Sequence, residues 1–124
     1  MTADVEKTQV KGMKHVVNAT GYSFKGLKAA WKYEAAFRQE AVLAVLLTFV
    51  ALILPISSTE KVALIACVVF VMVVELLNSA IEAVVDRVGM EHHELSGRAK
   101  DMGSAAVFLS LCLTFGVWVT ILFL

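Results

Sequence analysis

The last 23 residues of the chain, Met102–Leu124, contain no ionisable side chain, and few folds accept such a segment. As a helix at ~1.5 Å per residue it reaches ~34 Å, enough to cross a ~30 Å hydrocarbon layer with slight tilt. The remainder of the chain points the same way. Of its 124 residues, 59% are hydrophobic and 18% charged, which is too apolar for an ordinary soluble domain of this size. The net charge of zero hides a segregation, because residues 1–40 hold seven of the eleven Lys and Arg. One proline and seven glycines leave little room for a turn-rich β protein. Uncharged runs much longer than ~10 residues also argue against the alternating strands of a barrel. The expected fold class is an all-α membrane protein.

Two more spans are expected upstream. Ala41–Ile56 is apolar throughout and stops at Pro55 and the polar run Ser57-Ser58-Thr59-Glu60-Lys61; being short, it borrows length from Arg38–Glu40. Val62–Val85 is long enough to cross but carries Glu75 and Glu82 in its second half. Before these, Phe24, Leu27, Trp31 and Ala35 recur at helical spacing, flanked by Lys25, Lys28 and Lys32. This pattern suits a helix lying in the headgroup plane with its lysines toward anionic lipid, or else an amphipathic helix packed on protein. Val10, Met13 and Val17 suggest further helical turns ahead of it, with Gly21 as a break. The layout expected is three transmembrane helices, about 38–56, 62–86 and 102–124, preceded by an amphipathic interfacial helix over about 7–36, all in one domain spanning 1–124. Basic residues favour the cytoplasmic side in short loops. With Arg87, Arg98 and Lys100 in one connection and only Lys61 in the other, the amino terminus and the 86–101 loop are expected to be cytoplasmic and the carboxyl terminus outside. The polar start, with Asp4, Glu6 and Lys7, lacks the apolar stretch of a cleaved secretory signal.

The middle span holds the chemistry. At 100° per residue, Glu75, Asn78, Ser79, Glu82 and Asp86 fall on one side of the helix, opposite Val73, Val74, Leu77, Ile81, Val84 and Val85. An ionised carboxylate at membrane depth costs several kcal/mol unless it is paired, hydrated or bound to a cation. Asn78 and Ser79 alone would serve as polar contacts between helices, but that leaves two acids unexplained. Carboxylates with an amide and water are hard oxygen ligands, the kind Mg²⁺ takes while it also holds substrate phosphates. Glu34 and Glu40, where the surface helix meets the first span, form a second acidic cluster able to converge on the first.

The loop contributes Glu91-His92-His93-Glu94 and Gly97-Arg98-Ala99-Lys100-Asp101. Adjacent helical residues do not face the same way, so the two histidines make a poor transition-metal pair. Arg98 and Lys100 are suited to phosphate and equally to the basic cap of a span. Gly21 and Gly26 have part of the spacing of a P-loop, but Leu27 follows where that motif needs Lys, and no strand precedes them. Cys67 and Cys112 lie in apolar runs without a second ligand nearby and read as small buried hydrophobes. No repeat, low-complexity tract or nucleic-acid-binding feature is present.

Three runs carry a resemblance. Glu75-Leu76-Leu77-Asn78-Ser79-Ala80-Ile81-Glu82-Ala83-Val84-Val85-Asp86-Arg87, together with Glu34-Ala35-Ala36-Phe37-Arg38-Gln39-Glu40 and Glu94-Leu95-Ser96-Gly97-Arg98-Ala99-Lys100-Asp101-Met102-Gly103-Ser104, resembles the signature of the prokaryotic diacylglycerol kinase family. The resemblance covers roughly residues 20–106, in order. It implies a homotrimer in the bacterial inner membrane that moves the γ-phosphoryl of MgATP to the primary hydroxyl of diacylglycerol, giving phosphatidic acid. On the same resemblance, Glu75 matches the general base, with Asn78 beside it in the catalytic set, and Glu34 and Glu82 match the Mg²⁺-binding acids. Tyr22, Glu91, His92, His93, Lys100 and Asp101, with Glu34 and Glu82, match positions around ATP. Lys28, Ala29, Ala30 and Trp31, with Ala36, Phe37, Arg38, Gln39 and Glu40, match the stretches that meet the lipid substrate, which Glu75 also contacts. The family's best-known member has an arginine where this chain has His15 and a loop tyrosine where it has His92, departures that bear on ATP affinity.

Two other readings share these features. An undecaprenol kinase carries the same signature and differs in the lipid alcohol. A proton- or cation-conducting membrane oligomer would use Glu75 and Glu82 as a relay, but would have no need of Glu34, Lys100 and Asp101 at the membrane border.

Overall fold

The computed structural model describes residues 2–124, apart from the side chains of Val5 and of residues 7–10; Val10, in the expected early apolar stripe, lies outside the described side chains. The described residues form four helices and no strand: α1 (Thr2–Tyr33), α2 (Ala35–Ile53), α3 (Ser58–Val88) and α4 (Glu94–Phe123). The chain divides into two compact units, Met1–Glu34 and Ala35–Leu124.

The first unit is α1, 32 residues and so ~48 Å long. The expected break at Gly21 does not occur, and the helix starts earlier than residue 7. One exposed glycine costs only ~0.5–1 kcal/mol relative to alanine, too little by itself to interrupt a helix of this length. Thr20 Oγ1 donates to the Val16 carbonyl and Ser23 Oγ to that of Ala19, both at 2.9 Å. Lys25 and Lys32 lie over the rings of Tyr22 and Tyr33, 5.6 and 5.1 Å from the centroids. Met13, Val17, Phe24, Leu27 and Trp31 are exposed, an apolar stripe of the kind a membrane surface or a protein neighbour covers.

The second unit is a three-helix bundle. Each of α2, α3 and α4 is long and apolar enough to cross a membrane. α2 ends where Pro55 disfavours helix in the residue before it, and Lys61 Nζ donates to the freed carbonyl of Leu52 at 2.7 Å. α3 opens with a capping box: Ser57 Oγ accepts from the Glu60 N–H at 3.2 Å, and Glu60 Oε1 accepts from the Ser57 N–H at 3.1 Å. This S-x-x-E pattern stands in the sequence within the run read above only as a polar stop. Gly89 closes α3, its N–H donating to the Val85 carbonyl at 3.3 Å.

α3 is the central helix and packs on both α2 and α4. Its buried residues are Leu64, Cys67, Val68, Val71, Glu75 and Ser79, a single stripe at helical spacing that is apolar first and polar later. Two hydrogen bonds tie α4 to the apolar part: Thr114 Oγ1 to the Cys67 carbonyl at 3.1 Å and Trp118 Nε1 to the Leu64 carbonyl at 3.3 Å. Cys67 is buried as expected; Cys112 is exposed, because α4 meets the bundle along only one face and Cys112 lies off it. Phe49, Val69, Phe108 and Phe115 are also exposed, unfavourable against water and neutral against lipid.

Candidate functional site

The expected polar stripe exists, and the fold grades it by burial. Glu75 and Ser79 are buried, with relative exposures of 6% and 8%. Asn78 and Glu82 are half-buried and Asp86 is exposed. On the opposite face Val73, Leu77, Ile81 and Val84 are exposed and Val74 and Val85 half-buried, so this part of the helix turns Glu75 and Glu82 toward the bundle and most of its apolar residues away. The i, i+4 spacing lets Asn78 Nδ2 donate to Glu82 Oε1 at 3.4 Å. Asn78 Oδ1 is buried without a hydrogen-bond partner.

Of the second acidic cluster, Glu40 alone joins the stripe within the bundle. It sits on α2, half-buried, and interacts electrostatically with Glu75 across the α2–α3 contact. One of its carboxylate oxygens, Oε2, is buried and unpaired. Beside it a cavity of about 60 Å³ runs between the three helices, lined by Leu43, Val68, Val71, Met72, Leu111 and Thr114. Like charges this close in a low-dielectric setting repel, and a proton, a cation or a donor group relieves that repulsion. Next to Glu40 on α2, Phe37 is buried, Arg38 half-buried, and Ala36 and Gln39 exposed.

Glu34 belongs to the other unit; it is the one non-helical residue after α1 and donates its N–H to the Ala30 carbonyl at 2.9 Å. His15, Tyr22, Lys28, Ala29, Ala30 and Trp31 all lie on α1. Among the described residues, no three of His, Cys, Asp and Glu stand together closely enough to hold a metal ion. The donor chemistry nevertheless fits Mg²⁺, which is commonly held by one or two carboxylates while substrate phosphates and water complete its shell. Glu82 presents such a carboxylate, with one oxygen steadied by the Asn78 amide.

The expected 86–101 loop is mostly helix, and only 89–93 is not. α4 begins eight residues before its uncharged run, so Arg98, Lys100 and Asp101 ride on its first turns. That start is set by His93, whose Nδ1 accepts the Leu95 N–H at 3.1 Å as the N-cap. Glu91 and His92 are exposed in the short loop. Lys100 Nζ is 2.7 Å from Asp86 Oδ1, and this hydrogen bond and charge hold the ammonium above its ordinary range. Asp86 belongs to the stripe noted in the sequence but carried no assigned role there; its place one turn after Glu82 is the signal that marks it. Gly103, to which the sequence assigns no role, is buried on α4, where a Cβ would overlap Asn78 Oδ1.

Comparison with known proteins bears on what this arrangement serves. The model of the prokaryotic diacylglycerol kinase family matches residues 21–122. The diacylglycerol kinase of Escherichia coli (strain K12) is 54% identical over 111 residues, covering 90% of this chain and 91% of that protein. The diacylglycerol kinase of Haemophilus influenzae is 53% identical over 112 residues, 90% of this chain and 95% of its own. The one from Helicobacter pylori is 42% identical over 110 residues, covering 89% and 86%. The matched stretch takes in α2, α3 and nearly all of α4, with Glu40, Glu75, Asn78, Glu82 and Lys100 inside it. A kinase of three membrane-capable helices, matched along nine-tenths of its length, the chain belongs to the prokaryotic diacylglycerol kinase family.

Proposed function

We propose that the protein transfers the γ-phosphoryl group of MgATP to the primary hydroxyl of diacylglycerol, giving phosphatidic acid and ADP. The observation that carries this reading is Glu75, a carboxylate buried in a membrane-capable bundle and on the same helix face as Glu82. Seven residues separate them, so they stand ~10 Å apart along the axis at ~1.5 Å per residue. Base and metal ligand are thus at different depths, and a hydroxyl from the bilayer meets a phosphate from the aqueous side between them.

Phosphoryl transfer asks the protein for alignment and charge more than for covalent chemistry. Glu75 accepts the proton of the acceptor hydroxyl as its oxygen bonds to the γ-phosphorus and the bond to the β,γ-bridging oxygen breaks. Glu34 and Glu82 would hold Mg²⁺, which would neutralise charge on the phosphate oxygens. Lys100, fixed by Asp86, and Asp101 meet the nucleotide on α4, with Glu91, His92 and His93 beside them and His15 and Tyr22 on α1. Lys28–Trp31 and Ala36–Glu40 receive the lipid, the second stretch ending beside Glu75.

Three helices shelter little of such a site, which favours a site shared between neighbouring chains; the resemblance to the family implies that the assembly is a homotrimer. The Lys and Arg bias supports an orientation with the amino terminus and the α3–α4 connection on the cytoplasmic side, where ATP is available, and the carboxyl terminus outside; the resemblance implies the inner membrane, with residues 1–124 acting as one kinase domain.

The experiment supplies purified protein with γ-labelled MgATP and, separately, diacylglycerol, undecaprenol, ceramide and monoacylglycerol. Label in phosphatidic acid is the expected result. Label on undecaprenol alone transfers the assignment to the sibling lipid alcohol, and absence of label on every lipid, in detergent and in bilayers, removes the kinase reading.

A further inference from the structure

Besides the Lys100–Asp86 pair, the polar stripe of α3 comes close to α4 at Gly103. A Cβ built there overlaps Asn78 Oδ1 and lies 3.3 Å from Asn78 Cγ, whereas a Cβ on any of the other six glycines has nothing within 4 Å. Gly103 is buried, so the missing side chain is space that Asn78 occupies. The seated amide has two unlike ends. Its Nδ2 donates to Glu82 Oε1, and its buried Oδ1 has no hydrogen-bond partner. Buried carbonyl oxygens normally find a donor. Turning this amide over would leave Nδ2 buried instead and set Oδ1 against the Glu82 carboxylate, two acceptors facing each other. The Glu82 carboxylate, an acceptor, therefore sets which end of the amide faces it, and the bare backbone at Gly103 leaves the room in which the amide sits.

We infer that Gly103 is a positioning residue for phosphoryl transfer: by having no side chain it seats Asn78 so that the amide N–H orients the Glu82 carboxylate. The inference rests on the proposed reading of Glu82 as a Mg²⁺ ligand. Partners that orient metal-binding groups change metal affinity by roughly 10–100-fold when they are removed.

The test uses Mn²⁺ as the probe on the purified full-length protein with a non-hydrolysable ATP analogue, bound ion being read by water-proton relaxation enhancement. Gly103→Ala and Asn78→Ala should each weaken Mn²⁺ binding about tenfold. Gly103→Ala should add nothing in the Asn78→Ala background, because the atom its methyl displaces is gone. Wild-type Mn²⁺ binding by Gly103→Ala, or full additivity in the double variant, overturns the inference. If Gly103→Ala does not fold, as judged by circular dichroism and elution, the double variant should fold; a double variant that also fails overturns it. Glu82→Gln separates the two readings. Unchanged Mn²⁺ binding in that variant removes the metal role of Glu82 and this inference with it, whereas weakening there with none in Gly103→Ala removes this inference alone.

Discussion

Glu75 is the residue to which the proposed mechanism gives the proton transfer. Glutamine has nearly its shape and can keep its place in the stripe, but it is a far weaker proton acceptor. General-base help is worth typically 10²–10⁴ in rate. Glu75→Gln should therefore fold, bind MgATP and lose turnover by about that factor, as measured by kcat beside nucleotide binding. Glu34→Gln and Glu82→Gln should instead raise the Mg²⁺ concentration needed for half-maximal activity, since each removes a charged oxygen ligand. An unshifted Mg²⁺ titration in both variants would take them out of the metal site. Asp86→Asn tests the partner of Lys100: the pair is about half exposed, and pairs of that kind are worth little. The expected change is a rise of up to about fivefold in KM for ATP with kcat nearly kept.

Among the elements, α3 is the one that opens with a capping box. Ser57 and Glu60 exchange hydrogen bonds at its first turn, and replacing an N-cap serine by alanine typically costs ~1 kcal/mol. Ser57→Ala should lower stability by about that amount in mixed-micelle unfolding while leaving kinase activity unchanged, because the cap stands at the opposite end of α3 from Glu82. α4 is different, since its N-cap is His93, next to the turns proposed to meet ATP. His93→Ala should weaken ATP binding, and His93→Asn, a good N-cap, should restore part of the loss. Equal loss in both would assign His93 to direct contact with ATP rather than to holding the helix start.

The whole molecule raises a question of sharing. A bundle of three helices leaves Phe49, Phe108 and Phe115 on its outside, surface that lipid or other copies of the chain cover in the membrane. If Glu75 and Asn78 of one chain work with Glu34 of another, two inactive proteins should rescue each other. Glu75→Gln co-refolded with Glu34→Gln should recover activity that neither shows alone, since a mixed oligomer contains an interface with both wild-type acids. Mixed oligomers without activity would put the complete site inside one chain and leave the lipid-kinase assignment standing.

The sequence by itself determined the three membrane-capable helices and the polar face of the middle one. A bilayer supplies no backbone partners, so each span must satisfy its own hydrogen bonds as a helix, and length with hydropathy is then enough. The stripe from Glu75 to Asp86 was legible for the same reason, since its residues share one helix and 100° per residue relates them. Only the tertiary structure decided what the stripe touches. Glu40 interacts electrostatically with Glu75 across α2 and α3, Asp86 pairs with Lys100 from fourteen residues away, and the bare backbone at Gly103 lies against Asn78. Cys112, read as buried from its apolar neighbours, faces outward. Hydropathy tells apolar from polar but does not separate a lipid-facing side from a protein-facing one. That distinction arises when helices approach, and it is set by the small residues that let backbones come close and the large ones that hold them apart.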